Sequence, residues 1–114
     1  MKRLVMALCA WLLAINALAY EIAVVSVQSL PHEASLTLRL IDSGGPFPYD
    51  RDGITFGNYE GILPAQTRGY YREFTVPTPG VKHRGPRRIV TGGKPPAVFY
   101  YSADHYQSFQ RIQR

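Results

Sequence analysis

The stretch Leu30-Pro31-His32-Glu33-Ala34-Ser35-Leu36-Thr37-Leu38-Arg39-Leu40-Ile41-Asp42-Ser43-Gly44-Gly45-Pro46 carries signals for both ends of a helix. Pro31 suits the first helical position, where a missing N–H costs nothing, and Glu33 sets a negative charge at the positive helix end. Ala34, Leu38 and Ile41 recur at helical spacing and give one buried stripe. Gly44-Gly45 stops the helix and Pro46 keeps it from resuming. It is the one helix the sequence specifies.

Downstream the signals change to short strands. Pro46 to Gly53 reads as a loop ending in the turn pair Asp52-Gly53, and Ile54-Thr55-Phe56 as a short strand. Gly69 to Val76 is the clearest strand. Alternation turns Phe74 and Val76 to the core, with Arg72 on the same side at its rim, and turns Tyr71, Glu73 and Thr75 outward. Pro79-Gly80 and Gly85-Pro86 are turns. Arg87 to Thr91 is a strand with Ile89 inward and Arg88 outward, Gly92 to Pro96 a loop, and Val98 to Ser102 and Gln107 to Ile112 the last strands. Upstream, Ile22 to Val27 fits either a short strand or an extended lead-in. One helix followed by a run of strands predicts an α+β domain: one N-terminal helix packed on a twisted antiparallel β-sheet.

The first 19 residues read as something else. Met1-Lys2-Arg3 is a short positive start, Leu4 to Ile15 is almost wholly apolar, and Ala17-Leu18-Ala19 places small residues where a signal peptidase reads them. The run is too short and wrongly flanked for a membrane anchor. The expectation is a secretory signal peptide over 1–19, cleaved between Ala19 and Tyr20, and a single domain over 20–114. Such a protein is secreted, or periplasmic in a Gram-negative host, and has no membrane attachment after cleavage. Cys9, the only cysteine, leaves with the signal, so the domain has no disulfide and stands on its core. Of 13 Lys+Arg, 11 remain against 8 Asp+Glu, a net charge of +3. Five of the basic residues lie between Lys82 and Lys94. That cluster attracts polyanions or simply solvates a face.

Three places bear on chemistry. Glu73 lies mid-strand on the face away from the predicted core, with Arg84 and Arg88 on nearby segments. By periodicity alone this is a surface ion pair, worth little. His105 sits in the loop Ser102-Ala103-Asp104-His105-Tyr106. His32, His83 and His105 show no metal-ligand spacing, and neither a metal nor another cofactor is expected. In Phe56-Gly57-Asn58-Tyr59-Glu60, Gly57 permits close approach of a ligand to backbone, and Asn58 tolerates a left-handed turn that aims N–H groups together. Glu60 adds two side-by-side acceptors. Guanine presents N1–H and N2–H beside an O6 acceptor, so such a loop suits guanine and rejects adenine, with Phe56 or Tyr59 stacking on the base. The same residues also suit an ordinary loop.

Taken together, Leu30-Pro31-His32-Glu33-Ala34, Gly45-Pro46-Phe47-Pro48-Tyr49, Asp52-Gly53, Leu63-Pro64, Gly69-Tyr70-Tyr71-Arg72-Glu73-Phe74-Thr75-Val76, Thr78-Pro79-Gly80, Arg84-Gly85-Pro86-Arg87-Arg88-Ile89-Val90-Thr91-Gly92 and Asp104-His105-Tyr106 resemble, in order and spacing, the small microbial ribonucleases of the barnase and ribonuclease T1 superfamily, above all the streptomycete guanyl-specific ribonucleases. The resemblance implies Glu73 as general base, His105 as general acid, Arg84 and Arg88 on the phosphate, and Tyr106 reaching it through its hydroxyl. It places Glu60 on the guanine edge, with Phe56, Gly57, Asn58 and Tyr59 completing the base loop.

The implied reaction is cleavage of single-stranded RNA after guanosine. The RNA 2′-OH is the nucleophile, the product is a 2′,3′-cyclic phosphate, and hydrolysis follows with the acid and base roles reversed. The resemblance further implies a monomer open to a barstar-like inhibitor. Two features depart from the streptomycete pattern. Many bacterial relatives have Arg where this chain has Tyr59; here the loop is closer to the fungal branch, whose tyrosine stacks on guanine, at the cost of one positive charge. The streptomycete disulfide is missing, as in barnase, which bears on stability. Two other classes compete: a catalytically silent RNA- or inhibitor-binding module on the same fold, and a basic extracytoplasmic structural domain.

Overall fold

The computed structural model describes residues 21–114; the expected signal peptide and its cleavage site lie outside them. The chain runs β1 (Val24–Ser26), a 3-10 turn (Val27–Ser29), α1 (His32–Ser43), β2 (Tyr71–Thr75), β3 (Arg88–Gly92), β4 (Val98–Ser102) and β5 (Gln110–Gln113). The strands form one sheet in the order β1-β5-β4-β3-β2.

The helix forms where its signals predict. Pro31 stands one residue outside it, in extended conformation at the N-cap, and Glu33 is in the first turn. Gly44, with φ of 80°, takes the left-handed position at the C-terminus, and Gly45 N–H returns to the Leu40 carbonyl. Ala34 and Leu38 are buried and Ile41 partly so, packed with Leu30, Phe74, Val76, Ile89, Tyr101 and Ile112 into the main core. Thr37 is buried in the same stripe, where its Oγ1 donates to the Thr75 carbonyl of β2 at 3.2 Å.

Three expectations about the sheet are corrected. It is mixed: β2-β3, β3-β4 and β4-β5 are antiparallel, but β1 lies parallel to β5. The ends move, since β2 is shorter than Gly69 to Val76 and β5 begins at Gln110. Ile54 to Phe56 makes a single bridge, Thr55 to Arg72, although Phe56 N–H donates to Tyr71 O and Glu73 N–H to Ile54 O. That segment covers the free edge of β2.

The largest correction concerns the faces. Ile89 pairs with Tyr101 and Val90 with Tyr100, and both pairs are buried, on opposite sides. The side away from the helix is closed by a second core of Leu63, Tyr71, Val90, Tyr100 and Phe109. Leu63, Phe56 and Ile62 come from residues 44–70, a connection with no helix or strand of its own. So Tyr71, Glu73 and Arg88 are buried, where the alternation had turned them outward, while Arg72 is exposed and donates to Gly53 O. A connection this long inside a small domain is usually functional.

Candidate active site

Glu73 is in the middle of β2, 6% exposed. Its two carboxylate oxygens are held differently. Arg84 Nη2 donates to Oε1 at 3.1 Å, and Tyr106 Oη donates to Oε2 at 2.5 Å. Arg84 is itself oriented by β2, through Nε to Thr75 Oγ1 at 2.9 Å. Thr75 is two residues beyond Glu73, so strand periodicity puts both on one face and one guanidinium bridges them. Arg51 Nε stands 3.8 Å from the same Oε1 with its side chain 62% exposed.

Arg88 is 3% exposed at the start of β3. Its Nη1 donates to the carbonyls of Gly85 and Arg87, both at 2.8 Å, while Nε has no acceptor among the described residues. A buried cation fixed to backbone in this way is a stationary positive charge, and its field reaches the Tyr106 phenol.

His105 and Tyr106 both have positive φ, 55° and 73°. This conformation is uncommon for side chains of their size, and the surroundings determine it. Asp104 accepts from Ser102 Oγ at 2.9 Å, Ser108 N–H at 3.0 Å and Ser108 Oγ. Tyr106 N–H donates to Ser102 Oγ at 2.9 Å. His105 N–H donates to the Pro86 carbonyl at 2.9 Å, tying the turn to the segment that carries Arg84 and Arg88. His105 is exposed, and its ring lies 5.1 Å from that of Tyr106. The bond to Ser108, with further donors from Ser102 and the backbone, holds the Asp104 carboxyl below its usual range. Burial, reinforced by the bond to Glu73, pushes the Tyr106 phenol up, so it is a neutral donor throughout the neutral range.

These groups open into one pocket of about 310 Å³ whose walls include Glu73, His105, Tyr106 and every residue from Phe56 to Glu60. The Phe56 ring packs on Tyr106 at 4.6 Å and forms the floor with Phe109. Asn58 has φ of 53°, as expected of a left-handed turn. Its side chain turns inward: Nδ2 donates to Leu63 O at 3.0 Å, and Oδ1 accepts from Leu63 N–H at 3.2 Å. Asn58 therefore shapes the loop from within, and the Glu60 side chain at the pocket wall is exposed. Tyr59 is 85% exposed at the rim.

The structure thus brings eight of the ten residues singled out in the sequence into one pocket, ties Arg84 to it through Glu73, and sets Arg88 on β3 across from Thr75. Arg51, Thr55, Ile62 and Phe109 also line it and were not singled out. Arg51 is set in place by Asp52, which accepts from Tyr49 N–H and from Thr75 N–H at 2.7 Å. Flanked in sequence by Asp50 and Asp52, it reads as ordinary surface charge. Among the described residues, no group of three or more His, Cys, Asp or Glu is placed to hold a metal, and no helix is long and apolar enough to cross a membrane.

Among the described residues, one α-helix packs on a mixed five-stranded sheet, with Glu73 on the sheet face away from that helix, and this defines an α+β domain of the microbial ribonuclease fold. A family model described as ribonuclease matches residues 16–113, and the chain belongs to that family. It is 56% identical over 88 residues to guanyl-specific ribonuclease Sa3 of Kitasatospora aureofaciens, covering 77% of this chain and 62% of that protein. It is 51% identical over 90 residues to guanyl-specific ribonuclease Sa of the same organism, covering 79% and 93%. The chain thus spans most of the shorter relative and less than two thirds of the longer one. A solved structure of ribonuclease Sa2 in complexes with mononucleotides superposes with a TM-score of 0.79 at 50% identity, covering 82% of this chain and 96% of that one.

Proposed function

We propose that this protein is a guanine-preferring endoribonuclease that cleaves single-stranded RNA 3′ of guanosine by transphosphorylation to a 2′,3′-cyclic phosphate, which it then hydrolyses. The observation that carries the reading is the setting of Glu73: a buried carboxylate, bonded only to donors that also suit a phosphate, opening into a pocket shared with a histidine and a base-sized loop. The guanyl specificity of the relatives supports the choice of base.

Glu73 takes the proton of the ribose 2′-OH, and that oxygen attacks the adjacent phosphorus. His105, protonated, gives a proton to the departing 5′ oxygen. In the free protein Arg84 and Tyr106 each occupy one oxygen of Glu73. A bound phosphodiester competes for both donors, leaving Glu73 free to accept a proton while they stabilise the charge growing on the phosphoryl oxygens. Arg88 adds a fixed charge behind them. Water in place of the 2′-OH completes hydrolysis, with His105 as base and Glu73 as acid. Because RNA brings its own nucleophile and the proton transfers use side chains, the route requires no metal and leaves DNA uncut. Glu60 and the N–H groups of the 57–60 loop read the guanine edge, over the floor formed by Phe56 and beneath Tyr59.

The test is cleavage of GpC and ApC by the purified protein with EDTA present. GpC should yield a cyclic product, and His105→Ala should lose a factor of about 10² to 10⁴. Glu60→Gln should reduce the GpC-to-ApC ratio by about 10² or more, since a site built to accept the guanine donors discriminates strongly. Failure to cut either dinucleotide sinks the mechanism and favours a silent binding module; an unchanged ratio in Glu60→Gln sinks the base-loop assignment.

Export belongs to the same proposal. Residues 1–19 act as a signal, supported by their charge and hydropathy layout, and residues 20–114 work outside the cytoplasm as a monomer. N-terminal sequencing of the secreted protein should begin at Tyr20. A barstar-like inhibitor would block the pocket and should compete with GpC.

A further inference from the structure

The backbone of residues 57–63 is held from within, while the Tyr59 side chain stands out from it. Asn58 pins the loop to Leu63 through both ends of its amide, and Gly61 N–H donates to Asn58 O. The Tyr59 side chain, 85% exposed, has only two supports. Its ring lies on Gly57 so closely that a Cβ there would stand 2.3 Å from Cε2. Its hydroxyl accepts from Arg68 Nη1 at 2.9 Å, and the Arg68 guanidinium carbon is 5.9 Å from the ring centroid. Arg68 is outside the pocket walls, in the turn before β2.

We infer that Arg68 is a positioning residue for base recognition: it latches Tyr59 at the rim so that the ring is already in place when a guanine enters. Without the latch, a tyrosine this exposed turns freely about two torsions, and ordering it falls on the binding step. Arg68 also brings a positive charge to the outer side of Tyr59 from the turn before β2. This inference rests on the guanine reading above and adds to it a residue that touches neither the base nor the phosphate.

The latch affects ground state and transition state alike, so it acts on KM more than on kcat. Arg68→Ala should raise KM for GpC about three- to tenfold with kcat within twofold, and weaken binding of guanosine 3′-monophosphate by the same factor. Tyr59→Phe keeps the ring and removes the acceptor, so it should reproduce the effect. The double variant should be no worse than either single one, and Arg68→Lys should recover part of the loss. Independent, multiplying effects of the two substitutions, an unchanged KM in Arg68→Ala, or an effect that vanishes at 0.5 M salt would overturn the latch. The parent distinguishes the two levels: if it does not prefer GpC, the guanine reading fails and takes the latch with it; if it does, these outcomes judge the latch alone.

Discussion

Tyr106 Oη donates to Glu73 Oε2 across 33 residues of chain, from a backbone held at φ of 73° to the middle of β2. The bond joins the turn that carries His105 to the carboxylate paired with it in the proposed mechanism. It also couples the site to stability. Tyr106→Phe leaves a buried carboxylate oxygen short of a donor, which costs about 1–3 kcal/mol near neutral pH. The phenol is pushed up by burial and by Glu73, so on raising pH past about 10 the unfolded chain loses its proton first and the folded state is progressively disfavoured. Phenylalanine has no such proton. Denaturant unfolding at pH 7 and pH 11 should show the parent's advantage over Tyr106→Phe shrinking at the higher pH; an advantage that grows would contradict the direction of the shift.

The Asp104 carboxylate makes the opposite linkage. The Ser108 hydroxyl bond, with help from Ser102 and backbone donors, lowers it from 3.8. A depressed carboxylate stabilises the fold above its unfolded value, and the benefit disappears as pH falls through the folded one. Asp104→Asn should therefore melt a few degrees below the parent at pH 7, and the gap should close as pH falls through the lowered carboxyl value. The same network keeps His105 and Tyr106 left-handed, so kcat should fall roughly tenfold or more. A normal kcat with a lowered melting temperature would assign Asp104 to stability alone.

How far this site is legible in the chain depends on how local each cause is. The helix between Pro31 and Gly44 and the strand Val98–Ser102 were readable because caps, turns and alternation lie within a few residues of each other. Glu73 and Arg88 were not. Alternation correctly set them opposite Phe74 and Ile89, but nothing near them in sequence says that Leu63 and Phe109 return to close that second face. The parallel pairing of β1 with β5 joins the two ends of the domain and has no local signature. Nor does the positive φ of His105 and Tyr106, where no glycine marks the turn and the determinants, Ser102 and Ser108, act through space. Resemblance to a family assigns the roles of the ten site residues, while periodicity alone makes Glu73 a surface charge.

Arg51 shows what such a reading omits. It shares one Glu73 oxygen with the better-anchored Arg84 but lies mostly in solvent, so its ion pair adds little to folding. A phosphate arriving at Glu73 would sit within reach of both. Arg51→Gln should leave the melting temperature within about two degrees of the parent. It should lower kcat/KM about fivefold at low ionic strength, equivalent to about 1 kcal/mol of charge stabilisation in water. The deficit should narrow at 0.5 M salt, where exposed charges are screened. A salt-independent loss would mean that Arg51 acts by a fixed hydrogen bond instead.

Gly57 separates two reasons for a glycine. Its φ is not in the left-handed region, so an alanine fits the backbone without strain. What it lacks is room, because the added Cβ would stand 2.3 Å from the Tyr59 ring. The ring is the movable partner. It is exposed, held by one bond to Arg68, and able to swing outward at small cost. Gly57→Ala should therefore leave thermal stability nearly unchanged, or raise it slightly by restricting the unfolded chain, while displacing the ring from the pocket rim. KM for GpC should rise several-fold and kcat stay near the parent value. Combined with Tyr59→Ala the substitution should have little further effect, since the clash partner is gone. If Gly57→Ala still impairs binding when residue 59 is alanine, the glycine is needed for close approach of the base to the backbone.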